Sequence, residues 1–140
     1  MPKIESTIMV NRPLTEVFKF VADPANTPQW QQAVSEAGFA ANSSLKEGAT
    51  IRQMIKRNGQ PMESVSKITR LEPDRELVYE PVTAADQGVT QMSHRFATEG
   101  DGTRVSCLAE MTEASLKASH GEHQKSLDAD YASLKKILEA

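Results

Sequence analysis

His94 is the histidine whose neighbours give it chemistry to do. Alternation along Val89 to Thr98 puts Thr90, Met92, His94 and Phe96 on one face of a strand. An imidazole titrates near neutrality, so it can serve as a general acid or base or as a polar anchor for a ligand. On an apolar face it can equally be a satisfied core or rim residue. Acid–base work needs a second group across a cavity, and Tyr131, His123, Glu63 and Arg52 are the candidates. His120 and His123 stand at i, i+3, on one face of a helix. Two imidazoles hold a metal only with a third ligand and carboxylate support. Glu110 and Glu113 could contribute, but nothing fixes them there, and no metal is expected. Cys107 alternates with Val105, Ala109 and Met111 and has no basic neighbour, so it reads as a small buried hydrophobe, not a nucleophile. Nucleotide-binding glycine loops, serine elbows and paired-carboxylate motifs are all missing from the sequence.

The elements that must position these residues are mostly strands. Lys3 to Val10 alternates, and Asn11-Arg12-Pro13 breaks it; Pro13 suits the first turn of a helix carrying Val17, Phe18 and Val21 inward. Asp23-Pro24 ends that helix. A second short helix starts near Asn26 or Thr27 with Pro28 in its first turn and turns Trp30 and Val34 inward. Strands are then expected at Ala37–Ala41 around Phe39, Ala49–Arg57, Met62–Leu71, Glu76–Val82, Val89–Thr98 and Thr103–Thr112. Ile51, Gln53 and Ile55 share one face of the second of these. Asn58-Gly59 is the strongest hairpin signal, since a type I′ turn needs two positive φ angles. Thr83 to Gly88 reads as a polar loop, either an ordinary connection or part of a cavity mouth. Ser119 to Ala140 reads as one amphipathic helix of roughly 30 Å, with Ser119 and Glu122 at capping-box spacing and Leu127, Tyr131, Leu134 and Leu138 in one stripe.

The order β-α-α-β-β-β-β-β-β-α, with short turns between the central strands, predicts an α+β fold: a seven-stranded curved antiparallel sheet wrapped around the long C-terminal helix. The 140 residues are expected to form a single domain, 1–140. A net charge of −3 argues against a nucleic-acid partner, and no run of 18 apolar residues suggests a membrane span. The N-terminal residues lack a signal-peptide plan, and one cysteine suits a reducing compartment, so a cytoplasmic location is expected. Six methionines stand against seven aromatics. Met54, Met62, Met92 and Met111 are either adaptable core filler or the lining of an adaptable pocket.

Several segments resemble the START-like, or SRPBCC, superfamily and its helix-grip fold, and look most like the polyketide cyclase/dehydrase-type branch of small bacterial proteins. Pro13-Leu14-Thr15-Glu16-Val17-Phe18 is similar to that family's helix start, and Asp23 followed by Pro28-Gln29-Trp30 to its corner segment. Gly48 opens a strand where the family has a glycine. Ile68-Thr69-Arg70-Leu71-Glu72-Pro73 resembles its strand end, although Leu71 stands where many relatives carry an aromatic. Gly102-Thr103-Arg104-Val105 resembles the entry to its last strand.

The resemblance implies a cavity between the concave sheet face and the long helix, whose aliphatic C-terminal half packs while its mixed N-terminal half forms a roof. The expected walls are Trp30, Phe39, Tyr79, Met92, His94, Met111, His123, Leu127 and Tyr131. One bulge would invert the inward set downstream of it. The family implies a carrier or sensor of a small hydrophobic molecule (polyketide, aromatic, quinone or lipid), working without a cofactor as a monomer or homodimer. The alternatives are a cyclase- or dehydratase-type enzyme with His94 as acid/base, and a protein-interaction module with a vestigial cavity.

Overall fold

The computed structural model describes residues 2–40, 43–57, 59–82 and 88–140. Alternating apolar residues and short connections build seven strands: β1 (Lys3–Val10), β2 (Val34–Phe39), β3 (Thr50–Arg57), β4 (Gln60–Glu72), β5 (Glu76–Pro81), β6 (Val89–Glu99) and β7 (Gly102–Met111). They form one sheet in the order β1-β7-β6-β5-β4-β3-β2, and every neighbouring pair is antiparallel. The first strand thus closes beside the last. Between β1 and β2 lie α1 (Leu14–Ala22), a 3-10 turn (Pro24–Asn26) and the single-turn α2 (Thr27–Trp30). Asp23 caps the 3-10 turn by accepting from the Ala25 amide at 3.0 Å.

The C-terminal rod is two helices, α3 (Glu113–Ser119) and α4 (Glu122–Leu138), where the sequence suggests one. Helix begins earlier because Thr112 Oγ1 accepts from the Ser115 amide at 3.1 Å and caps α3. It then breaks because His120 (φ 51°) and Gly121 (φ 85°) adopt left-handed conformations. The Ser119–Glu122 capping box does not form: the Ser119 hydroxyl donates to the Leu116 carbonyl, and Gly121 caps α4.

Two further boundaries differ. Val34 opens β2 instead of ending α2, because the chain is already extended at Gln31. β2 therefore begins before the expected Ala37. Ala41, Asn42 and Asn58 lie outside the described residues, as do positions 83–87 of the expected polar loop; Gly59 carries a φ of 79°.

The inner sheet face and α4 enclose the core. Val10, Ile51, Ile68, Leu77, Val105, Cys107 and Met111 meet Leu127, Tyr131, Leu134 and Leu138 of α4, while Val17, Phe18 and Val21 of α1 close one end. Phe18 and Phe96 pack edge to face at 5.1 Å. Polar contacts fix α4 to the first strand and the turn after it: Gln124 Nε2 donates to the Glu5 carbonyl at 2.8 Å, Lys135 Nζ to the Met9 carbonyl, and Arg12 Nε to the Leu138 carbonyl at 2.7 Å.

Gly102 shows how tightly β7 lies against the end of β1. A Cβ there would lie 2.5 Å from the Val10 carbonyl oxygen, a backbone atom that cannot step aside. Gly38 on β2 has nothing within 4 Å of the same position. Gly102→Ala is therefore expected to lower the urea midpoint by the equivalent of roughly 1–3 kcal/mol. Gly38→Ala should be neutral or gain up to about 1 kcal/mol.

Candidate functional site

Three elements converge on His94. β6 carries it inward next to Met92, α2 brings Trp30, and α4 brings Tyr131 from the opposite wall. His94 is cross-strand from Cys107 on β7 and from Leu77 on β5. Its Nδ1 lies 2.7 Å from Tyr131 Oη, a hydrogen bond inside the core. Trp30 and Tyr79 each set a ring against the imidazole, at centroid distances of 5.9 and 6.1 Å and steep angles of 72° and 79°. Trp30 Nε1 is buried with no hydrogen-bond partner among the described residues.

Around this cluster the interior opens into two lobes. The larger, about 190 Å³, is walled by Val21, Pro24, Thr27 and Val34 on one side and by Ile51, Gln53, Ile55, Ser66 and Tyr79 of the sheet on the other. The smaller, about 140 Å³, lies under α4 between Ile4, Ala109, Met111, His123, Ser126, Leu127 and Asp130. Trp30, Gln31, Val89, Met92 and His94 line both. A wider concavity of about 720 Å³ lies on the outer sheet face among Arg75, Arg95, Arg104, Glu72 and Glu76. It is open and charged, with Glu76 paired to Arg70 and Arg95, and offers an apolar molecule nothing.

Of the expected wall residues, the structure gathers Trp30, Tyr79, Met92, His94, Met111, His123 and Leu127 around the lobes. Tyr131 stands behind His94, fully buried, where it orients the ring. Phe39 is not brought to either lobe. It sits on the edge strand β2, cross-strand from Ile51, against the core and a surface depression shared with Arg52 and Glu63. Arg52 and Glu63 pair with each other there, leaving Tyr131 as the partner of His94. The bulge between Val89 and Gln91 puts Val89, not Thr90, on the cavity wall; Thr90 Oγ1 donates to the Glu110 carbonyl instead. Met54 and Met62 lie outside both lobes. His120 is exposed at the break between α3 and α4, and His123 Nε2 lies 3.2 Å from the Ser115 hydroxyl. Among the described residues no group of three or more histidine, cysteine or acidic side chains is placed to hold a metal ion.

Asp130 escaped the sequence reading. It neighbours Tyr131 and follows Leu127 by three, so the helical stripe itself points it near the lobe. Its Oδ1 accepts from the Gln32 amide at 3.1 Å and ties α4 to the corner.

Burial sets the protonation of the cluster. Desolvation lowers His94 to about 4, so the imidazole is neutral at neutral pH. The same cause raises Cys107 to about 12 and holds Tyr79 and Tyr131 above the ordinary phenol value. Burial also raises Asp130 to about 6, opposed by the Gln32 amide.

The sequence profile of the family described as "Activator of Hsp90 ATPase homolog 1-like protein" matches residues 11–139. No curated protein matches the chain by sequence. Solved structures share the fold at low identity. One from Arthrobacter aurescens superposes with a TM-score of 0.80 at 12% identity, over 97% of this chain and 85% of that one. One from Thermus thermophilus gives 0.78 at 13%, over 98% and 97%. The Aha1 dimer from Colwellia psychrerythraea gives 0.71 at 17%, over 99% and 97%.

The titrations have opposite signs. Unfolded His94 takes up its proton near 6.5 and folded His94 only near 4. Between those values the unfolded chain holds more protons, so stability falls as pH drops, by about 3 kcal/mol in all. Folded Asp130 is protonated near 6, against an ordinary 3.8, so it adds stability as pH falls through that window. Urea midpoints at pH 7, 5.5 and 4 should therefore fall less in His94→Asn than in the wild type, and more in Asp130→Asn.

Proposed function

The chain belongs to the family described as Activator of Hsp90 ATPase homolog 1-like proteins, within the START-like (SRPBCC) superfamily, and we propose that it binds a small apolar molecule in the two lobes, one between the corner helices and the sheet and one beneath α4. The observation that carries this reading is the interior space itself. Two lobes share Trp30, Met92 and His94 in their walls. Voids larger than a water molecule are few in protein interiors, and each forfeits contact energy. The lining is mainly aliphatic and aromatic with a few polar groups, the usual make-up of a ligand site. The volumes suit a single ring or a short branched chain: a cavity of about 150 Å³ holds benzene. The role fits a carrier or sensor.

Proton-transfer catalysis at His94 is the second reading. The Tyr131 hydrogen bond, which holds the imidazole in one orientation, favours it. The burial that lowers His94 to about 4 weakens it, since a general base works best with a pKa near the operating pH. The family's descriptive name and the dimeric relative leave room for a protein partner or self-association, and neither assigns one here.

Native mass spectrometry of gently purified protein is expected to show a bound apolar species. Met92→Trp, which fills the wall common to both lobes, should remove it. Tryptophan fluorescence should respond to toluene and p-cresol in the wild type, where Trp30 is the sole tryptophan, and neither compound should bind Met92→Trp by calorimetry. Protein that emerges empty and responds to neither compound defeats the reading. His94→Ala separates the two roles: a carrier loses roughly three- to tenfold in affinity, whereas an enzyme loses turnover while still binding.

A further inference from the structure

The two edges of the sheet are not covered alike. At the β1 edge the Met111 amide donates to the Pro2 carbonyl, so even-numbered residues of β1 turn their backbone groups to β7 and odd-numbered ones turn theirs outward. Helix α4 serves that outward row: Gln124 Nε2 donates to the Glu5 carbonyl and Lys135 Nζ to the Met9 carbonyl. The β2 edge has no such cover. There the Ala40 amide donates to the Thr50 carbonyl at 2.9 Å, so Gly38 and Glu36 turn their backbone groups to β3, while Ala37 and Phe39 present N–H and C=O outward. Among the described residues no hydrogen bond from outside the sheet reaches the backbone of Ala37 or Phe39. An open depression of about 380 Å³ runs along Glu36, Ala37, Gly38 and Phe39. A row of unpaired strand groups is a template for another strand.

We propose that β2 pairs antiparallel with β2 of a second copy about a two-fold axis at Gly38, which makes one sheet continuous across a dimer. The register follows from the strand itself. Ser35 lies in the bulge between Val34 and Glu36, where the ladder is disrupted. That leaves Ala37 and Phe39 as the outward pair, and they are self-complementary: Ala37 of each copy meets Phe39 of the other and exchanges both backbone hydrogen bonds. Gly38 then faces Gly38 as a non-hydrogen-bonded pair, where Cα atoms approach to about 4.5 Å and side chains crowd most. Glycine brings no side chain to that axis, and the space where its Cβ would stand holds no atom of the same chain within 4 Å. Glu36 falls opposite Ala40, so the two Glu36 carboxylates are not set against each other. A foreign strand would gain the same backbone bonds; the glycine on the axis and the match of Ala37 to Phe39 favour the chain's own copy. Such an interface is isologous and closed.

The test follows sedimentation and proton–nitrogen spectra of the full chain from about 20 μM to about 2 mM. Half-dimerisation is expected between about 0.1 and 1 mM, the range that four ordinary hydrogen bonds support. The amides of Ala37 and Phe39 should move downfield with concentration, and those of Gly38 and Ala40, which face β3, should not. Ala37→Pro removes an outward N–H and spares the β3 ladder, a position where an edge strand tolerates proline. Gly38→Glu sets two carboxylates opposite each other. Each should weaken dimerisation at least about tenfold, with the spectrum of the folded monomer retained. Gly38→Cys should cross-link on mild oxidation, since the expected Cα spacing suits a disulfide, and Glu36→Cys should not; Cys107 is buried and takes no part. A chain that stays monomeric at about 2 mM overturns the proposal. So does a dimer that both Ala37→Pro and Gly38→Glu leave intact, or one whose formation leaves the Ala37 and Phe39 amides unmoved. Equal cross-linking of Gly38→Cys and Glu36→Cys overturns the axis at Gly38.

Discussion

The hydrogen bond between His94 Nδ1 and Tyr131 Oη ties the middle of the sheet to the helix that covers it. Neither residue could be buried alone. A phenol O–H and an imidazole both lose water's hydrogen bonds on folding, and each would cost free energy without a partner. Each is the other's remedy. The pair also sets distance and angle. The two rings lie at 28° with centroids 5.8 Å apart, so the register of α4 on the sheet is set by a directional contact as well as by apolar packing. Leu134 and Leu138 then continue the same face in the ordinary hydrophobic way.

That constraint explains why the interior is not filled. α4 is held at its C-terminal end by leucines and by backbone contacts to Arg12 and Asn11, and in the middle by Tyr131. Toward its N-terminus the inward residues become His123 and Leu127, and the helix stops at a left-handed pair, His120 and Gly121. α3 resumes beyond the break, held by the Thr112 amide donating to the Gly88 carbonyl at 3.0 Å. On the opposite side α2 is one turn long, enough to present Trp30 and too short to cover the sheet from Ile51 to Ile55. The lobes are what remains between a short corner and a helix pinned at a fixed height.

The architecture was legible in the sequence because its signals are periodic. Alternation identified the inward sets of β3, β6 and β7, and the leucine stripe identified α4. Tyr131 was among the expected walls, and also among four candidate partners for His94. Contact across a core depends on sheet curvature and helix height, neither of which is a local property. The failures are equally physical. A capping-box spacing at Ser119 and Glu122 lost to a better cap at Thr112 and to glycine's left-handed freedom at Gly121. A bulge exchanged Thr90 for Val89 without disturbing Met92 or His94, because it lies before them. Phe39 followed strand parity correctly but sits on the edge strand, and alternation says which face a residue takes, not how far it is from the centre. Asp130 was passed over because a carboxylate beside an apolar stripe reads as solvent-facing, whereas the Gln32 amide gives it a reason to stay.

A chain selected for stability alone would have little use for this cluster. Replacing both members of a buried hydrogen-bonded pair by apolar groups of similar shape is close to neutral and often favourable. A fully apolar junction would also remove the acid sensitivity that a neutral buried histidine imposes. It would leave no indole N–H unpaired, a defect native interiors seldom carry. The junction of the two lobes departs from local optimisation, and such departures tend to mark functional sites.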